Sequence, residues 1–178
     1  MDPMVRLRPM HVDDLKLVAR WLAEPHVARW YLVGSSVERE LEDVRRGVNG
    51  ADDLHMLIVL FDDEPIGWCQ WYACAVDPEW AAEIGAAPGD CGIDYAIGDP
   101  ARVGGGVGTE LVAALVELVR AARPGCGIMA DPEAANLASR RVLERNGFDL
   151  VAVKAMASEP TDDPMAIYRL AAEGGSSA

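Results

Sequence analysis

From residue 5 onward the hydrophobic period of the chain changes several times, and each change predicts an element. VRLRPM alternates apolar and basic residues like an edge strand, and HVDDLKLVARWLA then sets Val12, Leu15, Val18 or Ala19, and Leu22 on one helical face. PHVARWYLVGSS reads as a loop or broken helix carrying aromatics, and SVERELEDVRRGV as a second amphipathic helix capped by Ser35 or Ser36. The apolar runs LHMLIVLF and IGWCQWYACAV flank the acidic turn DDEP and predict an antiparallel hairpin, in which Trp68 and Trp71 face opposite sides. DPEWAAEIGAAPGD reads as a loop with at most one helical turn, and CGIDYAIG as another strand.

The second half follows the same alternation. After the glycine cluster of ARVGGGVGTEL, Leu111, Leu115, Leu118 and Ala122 repeat at helical spacing until Pro124 and Gly125 end the helix. CGIMA is a short buried strand, ANLASRRVLERNG a helix stopped by Gly147, FDLVAVKAM a further strand, and PMAIYRLA the strand that closes the sheet. With no internal repeat or linker, the pattern predicts one α/β (α+β) domain over residues 1–171, a sheet flanked by helices, and a disordered tail over 172–178.

Composition narrows the class. The chain of 178 residues has enough apolar side chains for a sizeable core, but no run approaches the roughly 18 apolar residues that cross a bilayer. MDPMVRLRPM lacks an apolar signal core, so the cytoplasm is the expected compartment. A formal charge of −13 argues against a nucleic-acid partner, which calls for basic faces. The same acidity either attracts a cationic ligand or only confers solubility. Cys69, Cys74, Cys91 and Cys126 lack C-x-x-C spacing and are expected to be reduced and buried; His11, His26 and His55 form no ligand pair, so no metal site is expected.

Four glycines in the five residues from 104 to 108, at the entrance of a helix, imply that bare backbone approaches a ligand, and the candidate ligand is a phosphate. A nucleotide P-loop needs Lys and then Ser or Thr after its last glycine, but Thr109 and Glu110 follow Gly108. A dinucleotide fingerprint needs another glycine spacing near the start of a βαβ unit. What fits is a strand–glycine loop–helix whose successive N–H groups and helix dipole hold the pyrophosphate of coenzyme A.

The segment resembles motif A of the GCN5-related N-acetyltransferases (GNAT), although Val103 stands where that motif has Gln or Arg, with Arg102 one step early. EPIGWCQ, GIDYAI, GGGVGTEL, ADPEAANLASRRVLERNGF and AIYRL match the superfamily in order over residues 5 to 171. The resemblance implies the GNAT fold, with a mixed central sheet and a V-shaped opening between central strands. It also implies acetyl-CoA as co-substrate, bound by Val103, Gly104, Gly105, Gly106, Val107, Gly108, Thr109 and Asn136, with the strand amide near Ile97 facing the acetyl group.

Within that superfamily the chain is most similar to the aminoglycoside 6'-N-acetyltransferases, through Glu64 to Gly67, Gly92 to Asp94, Gly104 to Thr109, Asp131 to Leu137, and the aromatic pair Trp30 and Tyr31. A polycationic acceptor calls for carboxylates, and Glu79, Asp94, Asp131 and Asp162 or Asp163 fall beside strand ends, with Asp163 taken as the binding residue. Asp94 stands out. In GIDYAI the side chains of Ile93, Tyr95 and Ile97 share one face, so Asp94 lies on the other, where a buried carboxylate needs a positive partner. It is the expected catalytic residue, binding the amine and helping to remove its proton. Trp30, Tyr31 and Trp80 are candidates to stack on sugar rings, while Trp21 belongs to the core.

Many relatives protonate the leaving thiolate with a tyrosine, but Leu143 occupies that position here; Tyr95 and Tyr168 read as packing residues. Two alternatives stay open: an acyltransferase for another amine (a polyamine, a siderophore hydroxylysine or a protein N-terminus), and a non-catalytic acyl-CoA sensor. Monomer and homodimer are equally compatible with the sequence.

Overall fold

The hairpin that starts the sheet is tighter than the sequence suggests. In the computed structural model, which describes residues 5–174, β2 (His55–Phe61) and β3 (Glu64–Ala73) are joined by Asp62 and Asp63 alone, with φ of 49° and 69°. Two consecutive left-handed residues form the turn whose twist matches paired strands, and Asp tolerates that conformation. Pro65, which has no N–H to give, lies opposite Leu60 where the register shifts. β3 ends earlier than expected, since Cys74–Val76 turns into a short 3-10 helix.

With β1 (Val5–Pro9), β4 (Cys91–Ile97), β5 (Ile128–Ala130), β6 (Asp149–Lys154) and β7 (Met165–Leu170), these strands form one seven-stranded sheet in the order β1-β2-β3-β4-β5-β7-β6. All neighbours are antiparallel except β4 and β5. That parallel pair meets only at Cys91–Ile128 and Gly92–Met129. β4 runs on to Ile97 while β5 ends at Ala130, so the two strands part and leave the V-shaped opening.

Helices cover both faces. α5 (Val107–Ala122) buries Leu111, Val112, Leu115, Val116 and Val119 against a sheet face that includes Trp71 and Ile93. The buried stripe is rotated from the predicted one: Val112, Val116 and Val119 replace Ala122, which is exposed, and Leu118 is only partly covered. On the opposite face α1 (Leu15–Leu22), α2 (Pro25–Tyr31) and α3 (Val37–Val48) pack Val18, Trp21, Leu22 and Val27 onto Ile58 and Trp68. The expected core role of Trp21 and the opposite facing of the two strand tryptophans both hold. Ser36, not Ser35, caps α3 by accepting from the Arg39 amide. α6 (Leu137–Arg145) lies beside α5.

Two short helices occupy the segments read as a loop or broken helix and as a loop with at most one helical turn. α2 starts at Pro25, and α4 (Pro78–Ile84) starts at Pro78 behind an Asp77 cap and stops at left-handed Gly85. Both carry the proline-first signature of a helix start, and α4 also has the glycine stop. All four cysteines are free and buried. No described helix is long and apolar enough to cross a membrane, and the described residues hold no cluster of His, Cys, Asp or Glu suited to a metal. Residues 175–178 of the expected tail lie outside the described residues.

Candidate active site

The glycine loop is built from backbone. Asp99 accepts from the Ala101 amide and starts a 3-10 turn, after which Gly104 and Gly106 take left-handed φ of 87° and 86° and α5 begins at Val107. The Gly106 carbonyl is used by the amides of Thr109 and Glu110. Among the described residues nothing accepts from the amides of residues 103–108. A Cβ added at Gly104, Gly105 or Gly106 would meet no atom within 4 Å. The loop therefore shows several free N–H donors, on the positive end of a sixteen-residue helix, to open space.

Not every predicted loop residue serves that surface. A Cβ at Gly108 would lie 3.2 Å from Val142 Cγ2, so this glycine brings α5 and α6 close together. The Asn146 amide group ties the same helices by donating to the Thr109 carbonyl at 3.2 Å. The Thr109 hydroxyl is buried and has no partner among the described residues. The Val107 side chain is buried in the core, and Val103 is exposed. The Arg102 guanidinium lies 4.3 Å from the centre of the Phe61 ring, so the basic residue nearest the loop is stacked on the sheet.

β4 continues this donor surface into the V-shaped opening. The Cys91 amide donates to Gly127 next to β5, whereas Gly98 donates to Ile66 next to β3. Strand alternation then turns the backbone groups of Tyr95 and Ile97 toward the opening. Their carbonyls accept from the Tyr31 hydroxyl at 3.1 Å and from His26 Nε2 at 2.9 Å, both on α2. Their amides lie beyond the last β4–β5 pair, Gly92–Met129. Asn136 stands at the far side, where its side chain caps α6 by accepting from the Ser139 amide and also lines the cleft.

The cleft in front of the opening has a volume of about 620 Å³. Among the described residues six carboxylates line it, namely Glu40, Asp43, Asp94, Asp131, Glu133 and Glu159, against a single cation, Arg39. Asp94 projects opposite Tyr95, as the alternation requires, and Gln70 Nε2 donates to it at 2.6 Å. Burial pushes its carboxyl above the ordinary range, an effect the bonds from Gln70 and Tyr72 partly offset. Asp131 is pushed up to about 8, chiefly by burial and further by the charges of Asp94 and Glu159, although Trp80 Nε1 donates to it at 2.8 Å. Burial and neighbouring acids raise Glu133 and Glu159 in the same direction. Carboxylates that repel one another and lose solvent are stabilised by an arriving cation.

α4 holds two of these acids in place. Trp80 is buried against Tyr72 and bonds Asp131, and the close approach of both rings to Gly92 leaves no room there for a Cβ. Trp80 is thus a support for Asp131 and does not offer its face to a ligand. Glu83 accepts from the amides of Ala157 and Ser158 and from the Ser158 hydroxyl, which fixes the loop that carries Glu159.

Of the predicted acceptor residues, the structure brings together Trp30, Tyr31, Asp94 and Asp131. Trp30 has the Arg29 guanidinium 4.5 Å from its ring centre, and Tyr31 packs against Trp68. Glu79 and Asp163 do not line the cleft: Glu79 sits exposed in the first turn of α4, and Asp163, like Asp162, is exposed beyond the loop. Asp163 nevertheless lies near enough to Glu133 for its charge to raise that carboxyl. Glu40, Asp43, Glu133, Glu159 and Gln70 take their place. The α3 acids look in sequence like a solvated helix face, and only Gln70, directly opposite Asp94 across the β3–β4 pair, had a usable strand-register signal. Tyr168 is buried and bonds Arg140 and Glu144 away from the cleft, whereas Tyr95 lines the cleft with its hydroxyl 2.7 Å from Ser139 Oγ. Leu143 is fully buried in the core.

Comparison with known proteins places this arrangement. Residues 11–155 match the family described as the acetyltransferase (GNAT) domain. The chain is 31% identical over 168 residues to aminoglycoside N(6')-acetyltransferase type 1 of Klebsiella pneumoniae, covering 92% of this chain and 81% of that protein. It is 28% identical over 179 residues to lysine N-acyltransferase MbtK of Mycobacterium tuberculosis, covering 97% and 80%. The structure of AAC(6')-Ib in complex with ribostamycin and coenzyme A superposes with a TM-score of 0.82 at 28% identity, covering 98% of this chain and 99% of that one. With a domain match over most of its length and a partly open sheet ending in a bare-backbone glycine loop, the chain belongs to the GNAT acetyltransferase family.

Proposed function

We propose that the protein transfers an acetyl group from acetyl-coenzyme A to the 6'-amine of an aminoglycoside. The observation that carries this reading is the cleft wall, six carboxylates to one guanidinium, placed directly before the opening between β4 and β5. A substrate with one amine would leave most of these acids without a counter-charge; a polycationic sugar pairs with several at once.

The residues present fit the coenzyme. Free amides of residues 103–108, left-handed Gly104 and Gly106, and the open space beyond Gly105 suit a diphosphate that must lie against backbone. When bound, acetyl-CoA supplies an acetyl carbonyl activated as a thioester. The Tyr95 and Ile97 amides are the donors in the opening for oxygen charge, and Asn136 lines the same passage. Asp94 pairs with the ammonium and takes its proton, directly or through water; its raised pKa makes it a stronger base than an ordinary aspartate. Glu133, Glu159, Asp131 and the α3 acids orient the remaining amines, and Trp30 and Tyr31 bound the sugar rings. Tyr95, braced on Ser139, offers a hydroxyl in the cleft for the role left open by Leu143.

The 28% likeness to a lysine N-acyltransferase supports a second reading, a single-amine acceptor. Coenzyme A thiol release separates the readings when kanamycin and tobramycin are compared with lysine, hydroxylysine, spermidine and a peptide N-terminus. The account expects the two antibiotics to lead in kcat/KM. Preference for lysine would overturn it, and silence with every amine despite coenzyme binding would point to a sensor.

A further inference from the structure

Behind Tyr31 the cleft continues into a side chamber of about 230 Å³ between α3 and the β2–β3 face of the sheet. Its walls are apolar: Leu22, Val44, Leu54 and Trp68. Leu22 and Trp68 are 1% and 4% exposed, so these walls are fixed parts of the core. Its acids are Glu40 and Asp43 from α3 and Asp94 from β4, which the chamber shares with the main cleft. Among the described residues no cationic side chain lines it; Arg39 belongs to the outer cleft alone. Tyr31 divides the two spaces, held by its hydroxyl on the Tyr95 carbonyl and by its ring against Trp68, 5.2 Å between centres.

We propose that this chamber is a second subsite that takes a short alkylammonium arm of the acceptor, with methylenes against Leu22, Val44, Leu54 and Trp68 and the ammonium toward Glu40 and Asp43. The chemistry selects this occupant. Asp43 is exposed and Glu40 is half-buried with a bond from Ser35, so these acids stand at the mouth of an apolar space. A bare hydrated cation would leave the apolar walls facing water, and a neutral alkyl group would leave the acids at the mouth without a counter-charge; an amphipathic cation satisfies both. The size agrees, since at roughly 30 Å³ for each water-sized group the space holds about seven such groups, room for an arm of about five heavy atoms. The inference rests on the assignment of the cleft to the acceptor. It adds that amines with a flexible aliphatic arm next to the reacting nitrogen are favoured over those on a bare ring.

The test is binding of simple probes to the full chain, followed by ligand-observed NMR and independent of turnover. n-Pentylammonium should bind about tenfold tighter than ethylammonium, because each buried methylene adds affinity, and n-pentanol should bind more weakly than either. Leu54→Trp, which fills the chamber, should remove the advantage of the longer amine, and Val44→Arg, which brings a cation to the acids, should do the same if the first variant fails to fold. The proposal is overturned if pentylammonium shows no advantage over ethylammonium in the unaltered chain, if n-pentanol binds as well as the amine, or if a folded variant keeps the advantage. Loss of aminoglycoside turnover with the probe pattern intact would count against the proposed reaction and leave the chamber standing.

Discussion

The two sides of the cleft are made differently. The side proposed for the coenzyme is a continuous stretch of backbone, residues 103–108, extended by two strand amides. The acceptor side is made of side chains from α3, β3, β4, the segment after β5 and the loop before β7, braced by α4. One ligand brings an invariant diphosphate and can be met by fixed dipoles. The other is met by a set of mutually repelling side-chain charges, of which Asp94 and Asp131 are held by Gln70 and Trp80. Mutations should therefore separate the two sides cleanly.

The largest effect is expected on the acceptor side. Asp94→Asn should lower kcat by about 10²- to 10⁴-fold, the usual worth of a positioned base, with coenzyme A affinity unchanged in calorimetry. Near-normal turnover would remove Asp94 from catalysis. Gly105→Ala is the matching change on the coenzyme side. Gly105 has no left-handed φ and its Cβ would enter open space, so the melting temperature should hold or rise slightly. Coenzyme A affinity should nevertheless fall about tenfold, one lost hydrogen bond to a charged group or the equivalent in close contact. Unchanged affinity would mean that the ligand does not lie on this backbone.

These differences also explain what the sequence disclosed. The glycine cluster was readable because the bare-backbone surface it forms is made by consecutive residues. Asp94 was readable because a strand's two-residue period exposes a charge inserted on a buried face. All seven strands lie where the apolar runs put them; buried cores enforce the period in most of them, whereas β6 is largely exposed and is held by its pairing with β7. Glu159 was not readable: its place depends on Glu83, seventy-six positions earlier, which fixes its loop through Ala157 and Ser158. α4 itself is only seven residues long, too short to show a hydrophobic stripe, and its Asp-Pro start and Gly85 stop were the signals available.

Smaller effects sharpen the contrast through pH. Asp131 is held at about 8 in the folded protein against an ordinary 3.8. The native state keeps a proton that the unfolded chain has lost, so this contribution to stability is full below pH 3.8, declines above it, and is gone beyond about pH 8. Asp131→Asn should flatten the fall in melting temperature across that window. Trp80→Phe, which removes one hydrogen bond to Asp131, should raise the aminoglycoside KM about fivefold and leave the coenzyme KM alone.

The central claim, a backbone cradle for coenzyme A facing an acidic cleft for a polyamine, is tested most directly by calorimetry in two steps. Coenzyme A is titrated into the full chain, and kanamycin is then titrated into that complex at pH 7 in two buffers of different ionisation enthalpy. The account predicts binding in both steps, with protons released to the buffer as kanamycin ionises Asp131. No heat from coenzyme A at millimolar concentration, or no binding of kanamycin to the complex, would contradict it.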